Sequence, residues 1–410
     1  MIDRKSLMEG NCRMNMTPSE KVGRFTTGIF SELAARKQDA MKRGLDVIDL
    51  SVGSPDLPPP DFVVDTLVKY AQDRNSYGYT LKGTPEFHEA VRYFYRMRYG
   101  VELDAEREVL QLMGSQDGLA HLATAMINPG DYVLVPDPGY PIYEASVELA
   151  GGIIHPMPLT AENGFLPQLN EIPDKIRKKT KMMIISYPGN PVTALADQTF
   201  FSDVISFAKK NEIMVVHDFA YSELIFDGHP QISFMSIPGA KEVGIEFNSL
   251  SKTFNMAGCR IGYAVGNREA LNILGTLKSH IDYGVFYPIQ KAAEMALTSN
   301  LSLLSEQVRE YQSRRDALIS GLAEGGWHVP KTSATMFIWA QIPAGWKSRD
   351  FAYALIEKAG VTVVPGDAFG KQGEGYVRMA LVQPADRLTV AAERIGMFLQ
   401  GKMECEKSSI

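Results

Sequence analysis

Between about residue 109 and residue 266, short apolar runs recur, each separated from the next by a stretch with helical spacing. The runs are YVLVPDP from Tyr132, MMIISYP from Met182, IMVVHDF from Ile213, VGIEFNSL from Val243 and RIGYAVG from Arg260. A strand with one wet face alternates apolar and polar residues, whereas a strand that is apolar throughout must be covered on both faces. With helices expected at 118–126 and 200–210 between the runs, the pattern predicts an α/β fold with a mainly parallel sheet flanked by helices. Ligands of such sheets sit beyond the carboxyl ends of the strands, so the residues that follow each run are where chemistry is to be sought.

The rhythm changes after about residue 285. A long polar helix over 301–323 leads to the strand TMFIWAQIP, the helix RDFAYALIEKAG, the strands VTVVP and EGYVRMALV, and a last helix near 387–399. This predicts a smaller α+β domain. The helix FSELAARKQDAMKRG, closed by Gly44, joins it, which makes that domain discontinuous. The expected division is a flexible arm at 1–24, a small domain at 25–50 with 290–410, and a large domain at 51–289. A length of 410 residues suits two such domains.

Composition narrows the function. The balance of 42 basic against 48 acidic residues argues against a general nucleic-acid binder. Cys12, Cys259 and Cys405 are too far apart for a disulfide framework or a metal-ligand pair, which fits a reducing cytoplasm. No apolar run reaches the length of a membrane span, and the N-terminus lacks the apolar block of a secretory signal.

Three segments at the strand ends carry chemistry. Gly114, Ser115 and Gln116 open a helix, whose free N–H groups suit an anion, with Ser115 as N-cap; alone, the turn reads as no more than a capped helix. Asp218 directly follows an apolar strand, where a carboxylate is costly without a cation, although a strand-ending Asp also caps turns. His217 alternates with it and is expected to face the other way, packed in the core. In SLSKTFNMAGCRIG, Lys252 stands among Ser249, Ser251 and Arg260. Hydroxyls and a guanidinium bind phosphate, and a lysine in a dry cationic setting becomes a nucleophilic amine. Together they describe a Schiff-base lysine beside a phosphate site.

From these motifs, the chain resembles the fold-type I, pyridoxal-phosphate-dependent aminotransferases of class I and II, from about residue 25 to 400 and with the motifs in family order. The resemblance implies that Lys252 bonds the cofactor, Asp218 holds its ring nitrogen protonated, and Tyr221 and Asn190 meet its phenolic oxygen. It implies that Tyr140 stacks on the ring and that Gly114, Ser115, Gln116, Ser249, Ser251 and Arg260 form the phosphate cup. Arg378 and the backbone of Gly53 would hold the substrate carboxylate. It further implies a homodimer in which Tyr79, or Tyr77, reaches the neighbouring subunit's cofactor. The activity expected is ping-pong transfer of an amino group between an L-amino acid and a 2-oxo acid, with glutamate and 2-oxoglutarate as one pair.

The sequence departs from the family pattern at Val192–Thr193, where Thr and Gly are usual, and at Cys259, where tryptophan is common. HDFAYSELIFDG, LSKTFNMAG and DYGVFYPIQ look most like the alanine and LL-diaminopimelate branch, and methionine-salvage transaminases share the vocabulary. Phe30, Tyr79, Lys82, Tyr283 and Phe286 are candidates for the side-chain pocket, and no second arginine for a distal carboxylate is evident. A β-lyase on the same scaffold is the main rival. A sensor protein would need an added DNA-binding module, and no G-x-G-x-x-G follows a strand as a nicotinamide site requires.

Overall fold

The computed structural model describes residues 16–23 and 29–401. The expected arm at 1–24 falls largely outside the described residues. The strands in chain order are β1 (Ile48–Asp49), β2 (Val109–Leu112), β3 (Tyr132–Asp137), β4 (Ile153–Pro158), β5 (Thr180–Ile185), β6 (Met214–Asp218), β7 (Gly244–Ser249), β8 (Gly262–Gly266), β9 (Phe337–Gln341), β10 (Val361–Thr362), β11 (Val364–Pro365) and β12 (Tyr376–Ala380).

Seven strands form one sheet in the order β2-β8-β7-β6-β5-β3-β4. The pairs from β7 through β4 are parallel, and β8 runs antiparallel to both β7 and β2. The expected mainly parallel sheet is present, and RIGYAVG is its reversed strand. A parallel return needs a crossover, usually an α-helix. The link from β7 to β8 holds only the one-turn helix Leu250–Thr253 and a 3-10 turn at Ala257–Cys259, so the chain comes straight back.

Both faces of the sheet are buried, and the apolar runs divide between them residue by residue. Val133 and Val135 enter one core and Leu134 the other, and Met182 and Ile184 are divided from Met183 and Ile185 in the same way. Each such side chain contributes roughly 1.5–3 kcal/mol by leaving water, which is why neither face tolerates a polar alternation. Helices Ser115–Met126 and Pro141–Ala150 cover one face; Pro85–Tyr99 and Gln198–Asn211 cover the other.

A further core lies around the three-stranded antiparallel sheet β11-β12-β9, covered by helices Ser302–Glu324 and Ala385–Leu399. The segment expected as one strand, VTVVP, is split at Val363: β10 pairs in parallel with β1, Ile48 opposite Val361, while β11 joins β12. Ala220, Tyr221 and Leu224, which follow β6, pack into this core. The two cores therefore meet at the carboxyl edge of the large sheet. No helix among the described residues is long and apolar enough to cross a membrane.

Candidate active site

Most strand ends at that edge lead into residues of the candidate site. β2 ends just before Gly114, β3 before Tyr140, β5 before Asn190, β6 at Asp218 and β7 at Ser249. Because β8 is reversed, it begins at this edge, and Arg260 lies two residues before it. With Gly53 and Arg378 added from outside the sheet, these groups, except Gly114, line a cavity of about 740 Å³.

Local geometry explains the small residues. Gly114, not Ser115, is the N-cap of helix Ser115–Met126, and its φ is 82°. A Cβ there would lie 2.5 Å from Arg260 Nη2. The guanidinium occupies the space a side chain would need, so the expected serine cap is displaced to the first helical position. A Cβ at Gly262 would lie 2.7 Å from Asn248 O and 2.9 Å from Ser115 N, which seats β8 directly against the same helix start. Ser249 Oγ accepts from Ser251 N at 3.1 Å, capping the single turn that carries Lys252.

Lys252 Nζ donates to Gly53 O at 2.8 Å. Burial first, then Arg260 and Arg378, bring its ammonium down to about 8, against the pull of Asp218. Asp218 is itself buried, which raises its carboxyl; Tyr143 OH, donating to Oδ2 at 2.7 Å, and the Ala220 N–H oppose that rise. Arg378, on β12, donates from Nη1 to Asn190 Oδ1 at 2.9 Å and from Nη2 to Ser51 O at 2.6 Å. Its Nε is buried with no partner among the described residues, and burial brings the guanidinium down to about 10. The rings of Phe337 and Phe369 flank it. Burial pushes the Tyr221 hydroxyl well above its usual range.

Lys252, Arg260 and Arg378 thus share one cavity with a single deeply buried carboxylate, Asp218. Arg378 is buried without a carboxylate beside it, which is costly, so the donor set calls for a ligand with an anionic group. It also calls for one cationic atom, opposite Asp218.

Of the residues singled out from the sequence, Gly53, Ser115, Gln116, Tyr140, Asn190, Asp218, Tyr221, Ser249, Ser251, Lys252, Arg260 and Arg378 line this cavity, and Gly114 backs onto Arg260. Tyr79 does not: it is 85% exposed and its ring meets Tyr283. Tyr77 is exposed against Phe286. Among the candidate pocket residues Phe30 lines the cavity, whereas Lys82 and Tyr283 border a separate one of about 690 Å³. Val192 is buried near Trp339 and Phe369, and Thr193 accepts from Thr332 Oγ1 at 2.5 Å, so the altered motif leaves Asn190 in place. Cys259 is a half-buried free thiol at the margin of the first core.

His217 faces the opposite side of the sheet, as expected, but it is more than packed: its Nδ1 lies 2.8 Å from Glu246, and both side chains are fully buried. Two groups escaped the sequence reading. Tyr143 has a local signal, since Pro141 starts a helix and places Tyr140 and Tyr143 three residues apart on one side. Lys37 and Asp49, paired at 2.8 Å on the cavity wall, had none.

The family model for aminotransferase class I and II matches residues 45–395. The LL-diaminopimelate aminotransferase of Moorella thermoacetica is 44% identical over 390 residues, covering 95% of this chain and 100% of that protein. The enzyme of the same name from Desulforudis audaxviator is 44% identical over 383 residues, covering 93% and 98%. Among solved structures, substrate-bound BacF from Bacillus subtilis superposes with a TM-score of 0.90 at 36% identity, covering 94% of this chain and 98% of that one.

Proposed function

The chain belongs to the class I and II aminotransferases, which use pyridoxal phosphate, and from that premise we propose that its amino donor is LL-diaminopimelate or a near relative, with glutamate and 2-oxoglutarate as the other pair. Alanine is the competing donor. The observation that carries the site assignment is one cavity at the sheet edge that gathers Lys252, Arg260 and the buried Arg378 around the buried carboxylate of Asp218. The names of the relatives favour amine transfer over the lyase alternative.

The residues fit the cofactor. Asp218 is a buried carboxylate without a cation in contact, suited to a protonated ring nitrogen. The N–H groups at Ser115 and Gln116, the hydroxyls of Ser249 and Ser251 and the Arg260 guanidinium suit a phosphate, with Gly114 giving Arg260 room. Pyridoxal phosphate, when bound, supplies a cationic ring that accepts the electron pair of the substrate Cα–H bond. Tyr140 would cover the ring, and Tyr221 and Asn190 would meet its phenolic oxygen. Arg378 grips the substrate carboxylate with a guanidinium whose Nε is still free, and Gly53 borders the same group. That grip aligns the Cα–H bond. Lys252, whose amine is readily neutral at about 8, takes the Cα proton and holds it at Nζ for return.

The same reading extends to assembly. Tyr77, Tyr79, Tyr283 and Phe286 form an exposed aromatic patch away from the cavity, suited to a second copy of the chain. In a homodimer Tyr79 reaches the partner's phosphate site. We take the large unit as 51–289 and the small one as 25–50 with 290–410. Helix Tyr287–Thr298 packs on Asp61–Ala71 and Pro85–Tyr99, which favours moving the last boundary toward 300. A reducing cytoplasm suits the free thiol of Cys259.

The test is an absorption spectrum of the cofactor-loaded protein before and after each amino acid. The expected result is loss of the yellow band with L-glutamate and with LL-diaminopimelate, faster than with L-alanine. A band that no amino acid discharges, or pyruvate and ammonia released from a cysteine conjugate, overturns the reading.

A further inference from the structure

Helix Ile29–Lys42 forms one wall of the active cavity through Phe30, Leu33, Ala34 and Lys37. Their spacing of three, four and seven puts them on one helical face. The first three are apolar or small. Lys37 ends the stripe with a charge, on the side of the helix that faces the cavity. Its Nζ lies 2.8 Å from Asp49 Oδ2, and the pair is only partly exposed, at 30% and 17%. Asp49 Oδ1 accepts from Ser51 N at 2.9 Å and from Ser51 Oγ at 2.6 Å, and Ser51 O accepts from Arg378 Nη2 at 2.6 Å. An ion pair therefore sits in the cavity wall one residue removed from the contact of the arginine. Burial opposes ionisation of Asp49, yet Lys37 and Ser51 together hold its carboxyl below the usual range.

A tie between helix and strand is not enough to account for this pair. The helix is already anchored by buried Leu33 and Ala40, and by the ion pair of Arg43 with Glu357 at 2.6 Å. What the wall offers in order is a short apolar stretch and then a cation beside an anion. Together these surfaces match a molecule with an aliphatic stretch and a zwitterion.

We propose that Lys37 and Asp49 are specificity-determining residues that read the distal end of a substrate carrying an amino-acid group at both ends, Lys37 taking the far carboxylate and Asp49 the far ammonium. This rests on the aminotransferase site described above and supplies the distal-carboxylate reader for which the sequence offers no second arginine. A site built around a charged group rejects analogues that lack it, because its own charges then lose their partner.

The test measures equilibrium binding of two unreactive probes to the cofactor-loaded enzyme by calorimetry: heptanedioate, with a carboxylate at each end, and heptanoate, with one. In the unaltered enzyme heptanedioate is expected to bind more tightly by about tenfold or more. Lys37→Met is expected to abolish that preference while heptanoate affinity stays within about twofold, and Lys37→Arg is expected to retain much of it. Equal weakening of both probes by Lys37→Met, or a preference that survives it, overturns the proposal. Discharge of the cofactor by L-glutamate, followed by absorbance in the same proteins, tests amine transfer separately. Its failure in the unaltered enzyme removes the aminotransferase reading, while the two-probe comparison still decides the role of Lys37.

Discussion

His217 and Asp218 are neighbours on β6 and point to opposite faces of the same sheet, and the two buried clusters they belong to are built on opposite terms. Behind the sheet, Glu246 receives Tyr95 OH at 2.8 Å, Ser233 Oγ at 2.7 Å, Phe234 N at 2.8 Å and His217 Nδ1 at 2.8 Å. Four donors fill the carboxylate's capacity, so nothing more can bind there. In front, Asp218 has Tyr143 and one backbone N–H, while Lys252 rests on a carbonyl and Arg378 keeps an idle Nε. Both clusters are buried and both are charged. Burial therefore does not distinguish these two clusters; the completeness of their hydrogen bonding does.

This contrast can be broken most sharply at its extremes. Lys252→Ala is expected to cut turnover about ten-thousandfold. It should leave the cofactor-free protein no less stable to urea, because it removes a desolvated cation from a cationic surplus. Glu246→Ala is expected to do the reverse: a loss of about 3–5 kcal/mol in urea unfolding, with the absorption band of the folded, loaded enzyme unmoved. A stable Glu246→Ala protein, or an unstable Lys252→Ala one, would erase the distinction. Tyr143→Phe lies between them. It takes one donor from Asp218, an interaction worth roughly 1.5–3 kcal/mol for a charged acceptor, so cofactor affinity measured by dialysis should fall about tenfold or more.

The smallest expected effect is a slope. The Lys252 ammonium is brought down to about 8 in the folded protein, whereas an unfolded lysine titrates near ~10.4. Between those values the unfolded chain binds the extra proton, so this group's contribution to the stability of the cofactor-free protein rises with pH across the window. It is complete above the unfolded value and lost as pH falls through about 8. Urea midpoints of the unaltered and Lys252→Ala proteins, compared across that window, should differ in slope by this one group.

Much of this was legible in the sequence, for reasons that also explain the rest. Strands β3, β5, β6 and β7 announce themselves because both faces are buried, so each reads as a mainly apolar run. β4 does not, because it is an edge strand, largely exposed and interrupted by Pro156 and Pro158. The reversal of β8 is a property of its short connection, which no residue in the strand reports. Site residues at strand ends could be read because a motif holds them at fixed spacing, as Ser249, Ser251, Lys252 and Arg260 do. Tyr143 meets Asp218 across 75 residues and Arg378 meets Asn190 across 188. Arg378 was found through its resemblance to a known pattern; Tyr143, without one, was not. Ser115 was misplaced as a cap because Arg260's claim on the space beside Gly114 comes from a remote segment.

The pairing of Arg378 with Ser51 spans 327 residues, and its meaning changes when the chain is considered as it is made. A ribosome releases the N-terminal end first, so the segments that bear Asp218 and Lys252 emerge long before the arginine does. Ser51 and its neighbours must wait through nearly the whole of synthesis for the group that fixes them. A nascent chain stopped after residue 300 carries Lys252 and Asp218 but lacks Arg378, the group proposed above to hold a substrate. Amine chemistry on an unfinished chain is thereby deferred, by nothing more than the order in which the parts arrive.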